Sequence, residues 1–494
     1  MPLCTSNYLS INRTSRKTTR KGKNNPDLKM AEPEWKKISA QKQAERASKL
    51  PSEWLIPPSL LPSPSIFNNQ DFPHTSGFFT AVELEITEST ATTVISHIAS
   101  GKWSAVQVLL ATCHRAVVAQ QLVNCLTEIY FSEALSRAKV LDEYFEKEGK
   151  TVGPLHGLPI SFKDQFNLQG VDTSIGYISR CHQPSTSNST LVSLLMTAGA
   201  VPFVKTNIPA TLMMGESINN AFGRTLNPRN RDLTPGGSSG GESALVSFRG
   251  SFMGVGTDIG GSIRHPCSFT GLYGLRPSHG RVSYQNVGNT YLGQEAVRSC
   301  AGPMCRSVDD VGLFMKSLAG TEPWLQDPQV LPLSWRSDLE LLPTKLCFGF
   351  GMGDGTVAPT PPLRRAMDMT RAALRAAGHA VMDYLPTEHI AAADIITKMW
   401  AADGGGEFQR DTDVSGEPLH PQIEAWLGHG AEREPMTVLE TWANQERRNV
   451  LQMRWLERWQ ATASVTGTGR PIDGLIMPST PFPAIRHDGG YPVR

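Results

Sequence analysis

The spacing of hydrophobic positions alternates along this chain between a helical period and an extended one. After Ser104, apolar residues recur every three to four positions as far as Val117, which predicts a helix that begins at a serine N-cap. A second helix is predicted over residues 131–146. Short apolar runs such as residues 200–205 are instead typical of buried strands.

Strand-like and helix-like segments follow one another in two stretches of the chain. These units are 158–163, 188–198 and 200–205, and then 346–351, 361–377 and 379–385. Such alternation predicts an α/β fold in which helices cover a sheet. Because neither an internal repeat nor a clear linker interrupts the elements, residues 86–494 are predicted to form a single large domain.

The chain before residue 86 has a different composition. Residues 30–85 combine a polar helical stretch with a run of prolines, which predicts an arm that wraps around the domain. Residues 1–29 are basic and contain too few apolar residues to form a core, so they are predicted to be disordered. They also lack the apolar stretch of a secretory signal. We therefore expect a cytoplasmic protein, with mitochondrial targeting by the basic tail as the alternative.

The overall charge and the cysteine pattern exclude several classes of function. The chain has 47 basic and 46 acidic residues, a balance that favours neither a nucleic acid nor an anionic membrane as partner. No apolar run is long enough for a transmembrane helix. The eight cysteines form no C-x-x-C pair, and the 12 histidines form no ligand-like cluster. We expect no metal and no other cofactor.

Two glycine-rich segments, 236–241 and 254–262, are the candidates for chemistry. A phosphate-binding loop requires lysine where this chain has Glu242, and the second segment is one residue longer than a dinucleotide fingerprint. Ser239 fits the G-x-S-x-G nucleophile pattern, but residues 227–235 before it are polar and contain two prolines rather than a buried strand. Taken alone, these segments could also be tight turns without chemistry.

Three segments together resemble the amidase signature family. They read Gly-Leu-Pro-Ile-Ser-Phe-Lys163-Asp, Gly-Gly-Ser238-Ser-Gly-Gly-Glu and Gly-Thr-Asp-Ile-Gly-Gly-Ser262-Ile-Arg264. The order of the segments and the separation of the two serines are those of the family. The likeness extends over roughly residues 80–494, and segments such as 403–405 and 415–418 resemble its fungal acetamidase-like members.

The resemblance implies the amidase signature fold, a mixed, twisted central sheet with helices on both faces. It also implies a serine hydrolase that cleaves a carboxamide to a carboxylate and ammonia or an amine through an acyl-enzyme. Ser262 would be the nucleophile, Ser238 (after a cis peptide) the relay, and Lys163 the base. A lysine can act as a base at neutral pH only if burial lowers its pKa from about 10.4 by several units.

The resemblance further implies a set of binding and supporting residues. The oxyanion and substrate contacts would come from Ser238, Ile259, Gly260, Gly261, Ser262 and Met214. Met214 would line the acyl pocket, although adjacent methionines are also common in ordinary cores. Asp258 and Arg264 would pair to hold the loop, with an ordinary surface ion pair as the alternative.

Two other functions stay open at this point. One is the amidotransferase A-type subunit that releases ammonia from glutamine and needs a partner subunit. The other is a catalytically impaired remnant, because the chain ends soon after Pro478, where members of the family continue. We expect a small-molecule amide as the partner, and a homodimer is a further hypothesis.

Overall fold

The structure is a computed structural model that describes residues 32–487, except for residues 64, 386 and 428–433. The predicted tail, residues 1–29, lies outside the described residues. The prediction of one large α/β domain with a mixed sheet is confirmed by the strands and helices that follow.

The strands form a central sheet and two smaller ones. The strands are β1 (Leu126–Ile129), β2 (Pro159–Lys163), β3 (Val201–Thr206), β4 (Ile218–Asn219), β5 (Gly223–Arg224), β6 (Met253–Asp258), β7 (Tyr273–Gly274), β8 (Cys300–Cys305), β9 (Cys347–Phe350), β10 (Ala380–Asp383) and β11 (Gly474–Ile476). The six-stranded central sheet has the order β1-β3-β2-β6-β8-β7. Its strands β3, β2 and β6 are parallel, whereas β1, β8 and β7 pair antiparallel with their neighbours. A separate parallel sheet has the order β10-β9-β11, and β4 pairs with β5.

Helices pack around these sheets. They are α1 (Glu34–Ser48), α2 (Phe72–Thr75), α3 (Ala81–Glu88), α4 (Ala91–Ala99), α5 (Ala105–Val123), α6 (Phe131–Glu148), α7 (Thr190–Thr197), α8 (Gly240–Ser247), α9 (Arg264–Thr270), α10 (Val308–Ala319), α11 (Pro361–Ala376), α12 (His389–Trp400), α13 (Gly406–Ser415), α14 (Pro421–Leu427) and α15 (Val438–Ala461). The predicted cap of α5 is confirmed, since the Ser104 hydroxyl accepts a hydrogen bond from the Gln107 N–H at 3.0 Å.

Two hydrophobic clusters cover the two faces of the central sheet. One joins α4, α7 and α10 to β2 and β6, and the other joins α5, α6 and α8 to β1 and β3. Because side chains alternate along a strand, Ile160 and Phe162 of β2 enter the first cluster, while Ser161 and Lys163 face the α8 side. The lysine is therefore held between the sheet and α8.

Strand β6 shows that the glycine-rich segment 254–262 is not a tight turn over its whole length. Residues 254–258 belong to a fully buried strand, and only the residues after Asp258 turn. The glycines permit close packing there. A Cβ on Gly254 would lie 2.2 Å from the Glu242 carboxylate, and one on Gly256 would lie 2.8 Å from the Met304 sulfur. The sequence signal was ambiguous because glycine is also the commonest turn residue.

The first described helix, α1, is anchored to the domain by a buried ion pair. The Lys42 ammonium lies 2.6 Å from carboxylate oxygens of both Glu128 and Asp172, and all three side chains are buried. The Ser39 hydroxyl also donates to the Asn220 carbonyl at 2.7 Å. Residues from the predicted arm thus contact the β1 region directly.

In the described part of the chain, no helix combines the length and the apolar character that crossing a bilayer requires.

Candidate active site

The motif residues meet at one edge of the central sheet. Strands β2 and β6 are parallel neighbours, so both of their carboxyl ends lie at this edge. Lys163 is the last residue of β2, and the turn 259–262 follows β6 directly. The loop 236–239 precedes α8, and the Ser239 N–H donates to the Ser262 carbonyl at 3.2 Å. That bond ties the two glycine-rich segments together.

Lys163 is completely buried and has two hydroxyl partners. Its Nζ lies 2.7 Å from Ser238 Oγ and 2.8 Å from Thr257 Oγ1. Burial lowers the pKa of Lys163 from 10.5 to about 7, although the negative charges of Asp258 and Glu242 act in the opposite direction. A substantial fraction of this amine is therefore neutral near pH 7, as a general base requires.

Ser238 and Ser262 line the same narrow cavity, whose volume of about 10 Å³ suits roughly one water-sized group. The peptide bond between Gly237 and Ser238 is cis, as the resemblance implied. Ser262 also lines a larger cavity next to the narrow one, so it lies where the two cavities meet. Ser239, which fits the G-x-S-x-G pattern, is fully buried, and its hydroxyl donates to the Thr257 carbonyl.

Asp258 organises the turn that carries Ser262. Its buried carboxylate accepts hydrogen bonds from the backbone N–H groups of Gly261 at 2.8 Å and Ile263 at 3.1 Å. The Arg264 guanidinium donates to both carboxylate oxygens, at 2.9 and 3.0 Å. Burial alone raises the pKa of Asp258, but the bonds from Arg264 and the backbone hold it below its usual value. The pair thus restrains the loop, whereas an ordinary surface pair joins two exposed groups.

The backbone N–H groups of this turn differ in whether they have a hydrogen-bond partner. The Gly261 N–H, predicted to face an oxyanion, donates to Asp258 in the structure. The N–H groups of Ile259, Gly260 and Ser262 have no hydrogen-bond partner within the described residues. Ile259 and Gly260 also line the larger cavity. Free backbone donors beside a cavity can stabilise a negative charge that develops there.

Two glycines leave no room for a side chain in this turn. Gly261 has a φ of +125°, and a Cβ there would lie 2.5 Å from the His265 imidazole. A Cβ on Gly260 would lie 2.7 Å from the Trp400 ring. Burial lowers the pKa of His265, which keeps this ring neutral at physiological pH.

The larger cavity has a volume of about 270 Å³ and mostly apolar walls. It is lined by Leu212, Met213, Met214, Gly215, Gly237, Ile259, Gly260, Ser262, His265, Trp400, Gln422 and Ile423. Met214 lies at this cavity and also packs against Phe408 and Ile423; its role in an acyl pocket stays a prediction. Sequence reasoning missed Trp400 and Ile423, which come from α12 and α14 and carry no motif.

A second buried carboxyl group, that of Glu242 on α8, lies close enough to Lys163 to affect its pKa. Glu242 accepts hydrogen bonds from the Ser161 hydroxyl at 2.6 Å and the Thr206 hydroxyl at 2.9 Å. Burial raises the pKa of Glu242 to about 8, even though both hydroxyls and the Lys163 charge favour its ionised form. Among the residues that the structure describes, no group of three or more His, Cys, Asp or Glu side chains is arranged to hold a metal ion.

Comparison with known proteins gives consistent results. A family model described as Amidase matches residues 107–491. A Curvularia clavata protein assigned to the amidases, kk1C, is 62% identical over 463 residues, covering 94% of this chain and 84% of the relative. An acetamidase from Emericella nidulans is 44% identical over 460 residues, covering 92% and 82%. Among solved structures, a fatty acid amide hydrolase superposes with a TM-score of 0.85 at 34% identity, covering 92% of this chain and 79% of the other.

Proposed function

Because this chain belongs to the amidase family and is an amide-hydrolysing enzyme, we propose that it cleaves carboxamides through an acyl-enzyme on Ser262. The products are a carboxylate and ammonia or an amine. The observation that carries this proposal is the fully buried Lys163, 2.7 Å from the Ser238 hydroxyl and with a pKa near 7. An amine in that state can take up a proton where serine hydroxyls alone cannot ionise.

In the first step, Ser262 Oγ attacks the substrate carbonyl carbon and its proton passes to Ser238. Ser238 in turn gives its own proton to the neutral Lys163. The carbonyl oxygen gains negative charge, which the free N–H groups of Ile259 and Gly260 can stabilise. Each such donor typically contributes about 3 kcal/mol to lowering the barrier.

In the second step, the tetrahedral intermediate collapses and the C–N bond breaks. The proton returns from Lys163 through Ser238 to the departing nitrogen, because an amine anion is a very poor leaving group. Water then attacks the ester on Ser262, with the same lysine and serine accepting its proton. When this second intermediate collapses, the ester C–O bond breaks and the proton returns from Lys163 through Ser238 to Ser262 Oγ. The acid that is released ionises to the carboxylate in solution.

The substrate is a small-molecule amide whose acyl group enters the larger cavity. The cavity volume of about 270 Å³ is more than an acetyl group fills, and its walls are mainly methionine, leucine, isoleucine and tryptophan. Apolar walls gain most from apolar acyl groups. We therefore expect primary amides of medium, apolar acids to be better substrates than acetamide, although two relatives are named acetamidase.

A fluorophosphonate probe and an ammonia-release assay test this function. Such a probe attaches to an activated serine oxygen. Wild-type protein should be labelled and should release ammonia from an amide panel, and Ser262→Ala should abolish both. Ser268→Ala, which alters an exposed serine on α9, serves as the matched control. Absence of labelling in folded wild-type protein, or full labelling of Ser262→Ala, would refute the proposal.

The role of Lys163 in protonating the leaving group has its own test. Esters leave as alkoxides or phenolates and depend less on that proton than amides do. Lys163→Ala should therefore slow hydrolysis of an amide more than hydrolysis of the ester of the same acid. Equal losses on both substrates would remove the acid role from this lysine.

A further inference from the structure

We propose that Gln165 is a positioning residue that keeps the lone pair of Lys163 available to Ser238, and that it acts through the hydroxyl of Thr257. The inference rests on the proposed function, in which neutral Lys163 is the base. Gln165 follows Lys163 by two residues, accepts a hydrogen bond from Thr257 of strand β6, and lines the narrow cavity that Ser238 and Ser262 also line.

The orientation of the Gln165 amide is fixed by its surroundings. Its Nε2 donates to the Gly288 carbonyl at 2.8 Å and to the Tyr284 hydroxyl at 3.1 Å. A backbone carbonyl can only accept, so the nitrogen must lie on that side. The amide oxygen then faces Thr257.

The orientation of Gln165 determines what Thr257 can do. The Thr257 hydroxyl has one proton and donates it to Gln165 Oε1 in a short hydrogen bond. A hydroxyl that has donated its proton presents lone pairs to its other neighbours. The Lys163 Nζ, at 2.8 Å from Thr257 Oγ1, must therefore be the donor in that contact.

The direction of the hydrogen bond from Lys163 to Thr257 determines which groups of the lysine amine stay available to Ser238. A neutral amine has two N–H groups and one lone pair. If one N–H is directed to Thr257, the lone pair is free to accept the proton of Ser238, whose Oγ lies at 2.7 Å. Without Gln165, the Thr257 hydroxyl could turn and donate to the Lys163 lone pair itself. The lone pair of Lys163 would then accept a hydrogen bond from Thr257 instead of the proton of Ser238.

The side chains of this hydrogen-bond chain are almost closed to bulk solvent, although the narrow cavity beside them has room for about one water-sized group. Lys163, Gln165 and Thr257 are 0%, 1% and 4% exposed. Tyr284, whose hydroxyl lies beside both Gln165 and Thr257, stays protonated because burial raises its pKa to about 12. The uncharged amide also adds no further negative charge near Lys163, whose pKa the carboxylate of Asp258, and that of Glu242 when it is ionised, already raise.

Variants of Gln165 and Thr257 test the proposal by their order of activity. Gln165→Met keeps the side-chain length and removes the amide, so kcat for an amide should fall about 5- to 150-fold, the rate equivalent of one buried group losing its partner. KM should change little, because neither residue lines the larger cavity. Thr257→Val removes the competing hydroxyl. The double variant should therefore recover to the kcat of Thr257→Val alone, above that of Gln165→Met.

The matched control is Gln121→Met. Gln121 lies on α5, where its amide likewise bridges backbone groups, those of Trp54 and Ile56, and Gln121→Met should leave kcat unchanged. If Gln165→Met does not fold by circular dichroism, Gln165→Asn, whose amide is too short to reach Thr257, replaces it in the series.

Three results would overturn the inference: a wild-type kcat in Gln165→Met, a double variant no faster than Gln165→Met, or an equal loss in Gln121→Met. A parallel measurement on Ser262→Ala separates the two proposals. Activity that survives in Ser262→Ala refutes the proposed function itself. An inactive Ser262→Ala beside a fully active Gln165→Met refutes only the role of Gln165.

Discussion

Replacing Lys163 with methionine should stabilise the folded protein near pH 7 while abolishing amide hydrolysis. Methionine keeps the apolar stem and nearly the length of lysine but needs no proton and no solvation. In the native protein the lysine is fully buried, and its pKa falls from 10.5 to about 7. Keeping this lysine buried and neutral therefore lowers the stability of the folded protein, a trade-off that is common at functional sites.

The size of that cost follows from the pKa difference. A pKa that falls from 10.5 in the unfolded chain to about 7 in the folded protein corresponds to about 4–5 kcal/mol of lost stability at pH 7. Methionine removes this cost but deprives Ser238 and Thr257 of a hydrogen-bond partner, at about 1–1.5 kcal/mol each. The net gain for Lys163→Met is then about 1–3 kcal/mol at pH 7.

The stability difference between Lys163→Met and the wild type depends on pH. Between pH 7 and 10.5 the unfolded chain keeps the lysine proton and the folded chain does not, so wild-type stability rises with pH in this window. The advantage of Lys163→Met is complete below about pH 7 and should shrink by about 3 kcal/mol by pH 9.5. Burial also raises the pKa of Glu242 to about 8, but Glu242 is present in both proteins and largely cancels in the difference.

Urea unfolding of both proteins between pH 6.5 and 9.5, followed by circular dichroism, measures this difference. Ser262→Ala is the control, because it should lose activity without gaining the same pH-dependent stability. A stability difference that does not change with pH would refute the buried, neutral lysine. So would a Lys163→Met variant that is less stable than wild type at pH 6.5.

Other predictions concern the same edge of the sheet. Asp258→Asn should lower the free energy of unfolding by about 3 kcal/mol, measured by urea denaturation, because the Arg264 charge loses its partner and only one acceptor oxygen remains for the two backbone N–H groups; an unchanged stability would contradict the role of Asp258 in holding the turn. Gly261→Ala should reduce kcat about 100- to 1,000-fold with an unchanged circular dichroism spectrum, because its Cβ would displace the turn against His265; a near-normal kcat would show that the turn tolerates that shift. In wild-type protein, kcat/KM should fall as the pH drops below about 7 and Lys163 takes up a proton; a flat profile down to pH 5 would exclude it as the base.

Much of this site could be predicted from the sequence, because its residues lie in short contiguous motifs. Lys163, Ser238 and Ser262 were each marked by neighbouring glycines or a strand ending, and the structure gathers those segments at one edge. The start of α5 and both ends of α6 were predicted to within two residues, whereas α5 continues to Val123, beyond the periodic pattern that ends at Val117. Local patterns were sufficient in these cases.

The remaining features depend on contacts between distant parts of the chain. Trp400 reaches the cavity from α12, and nothing in its neighbouring sequence indicates that contact. Strand β6 resembled a turn because its glycines serve packing against Glu242 and Met304, a property of the assembled sheet. The partnership of Gln165 with Gly288 likewise joins residues more than a hundred positions apart.

The most direct test of the account asks which atom carries the acyl group. Wild-type protein is mixed with a p-nitrophenyl ester of a medium apolar acid, quenched in acid within the burst phase, digested and analysed by mass spectrometry. The account predicts one acyl group on the peptide that contains Ser262, and none in Ser262→Ala. An acyl group on Ser238 or Cys267, or unchanged acylation of Ser262→Ala, would contradict it.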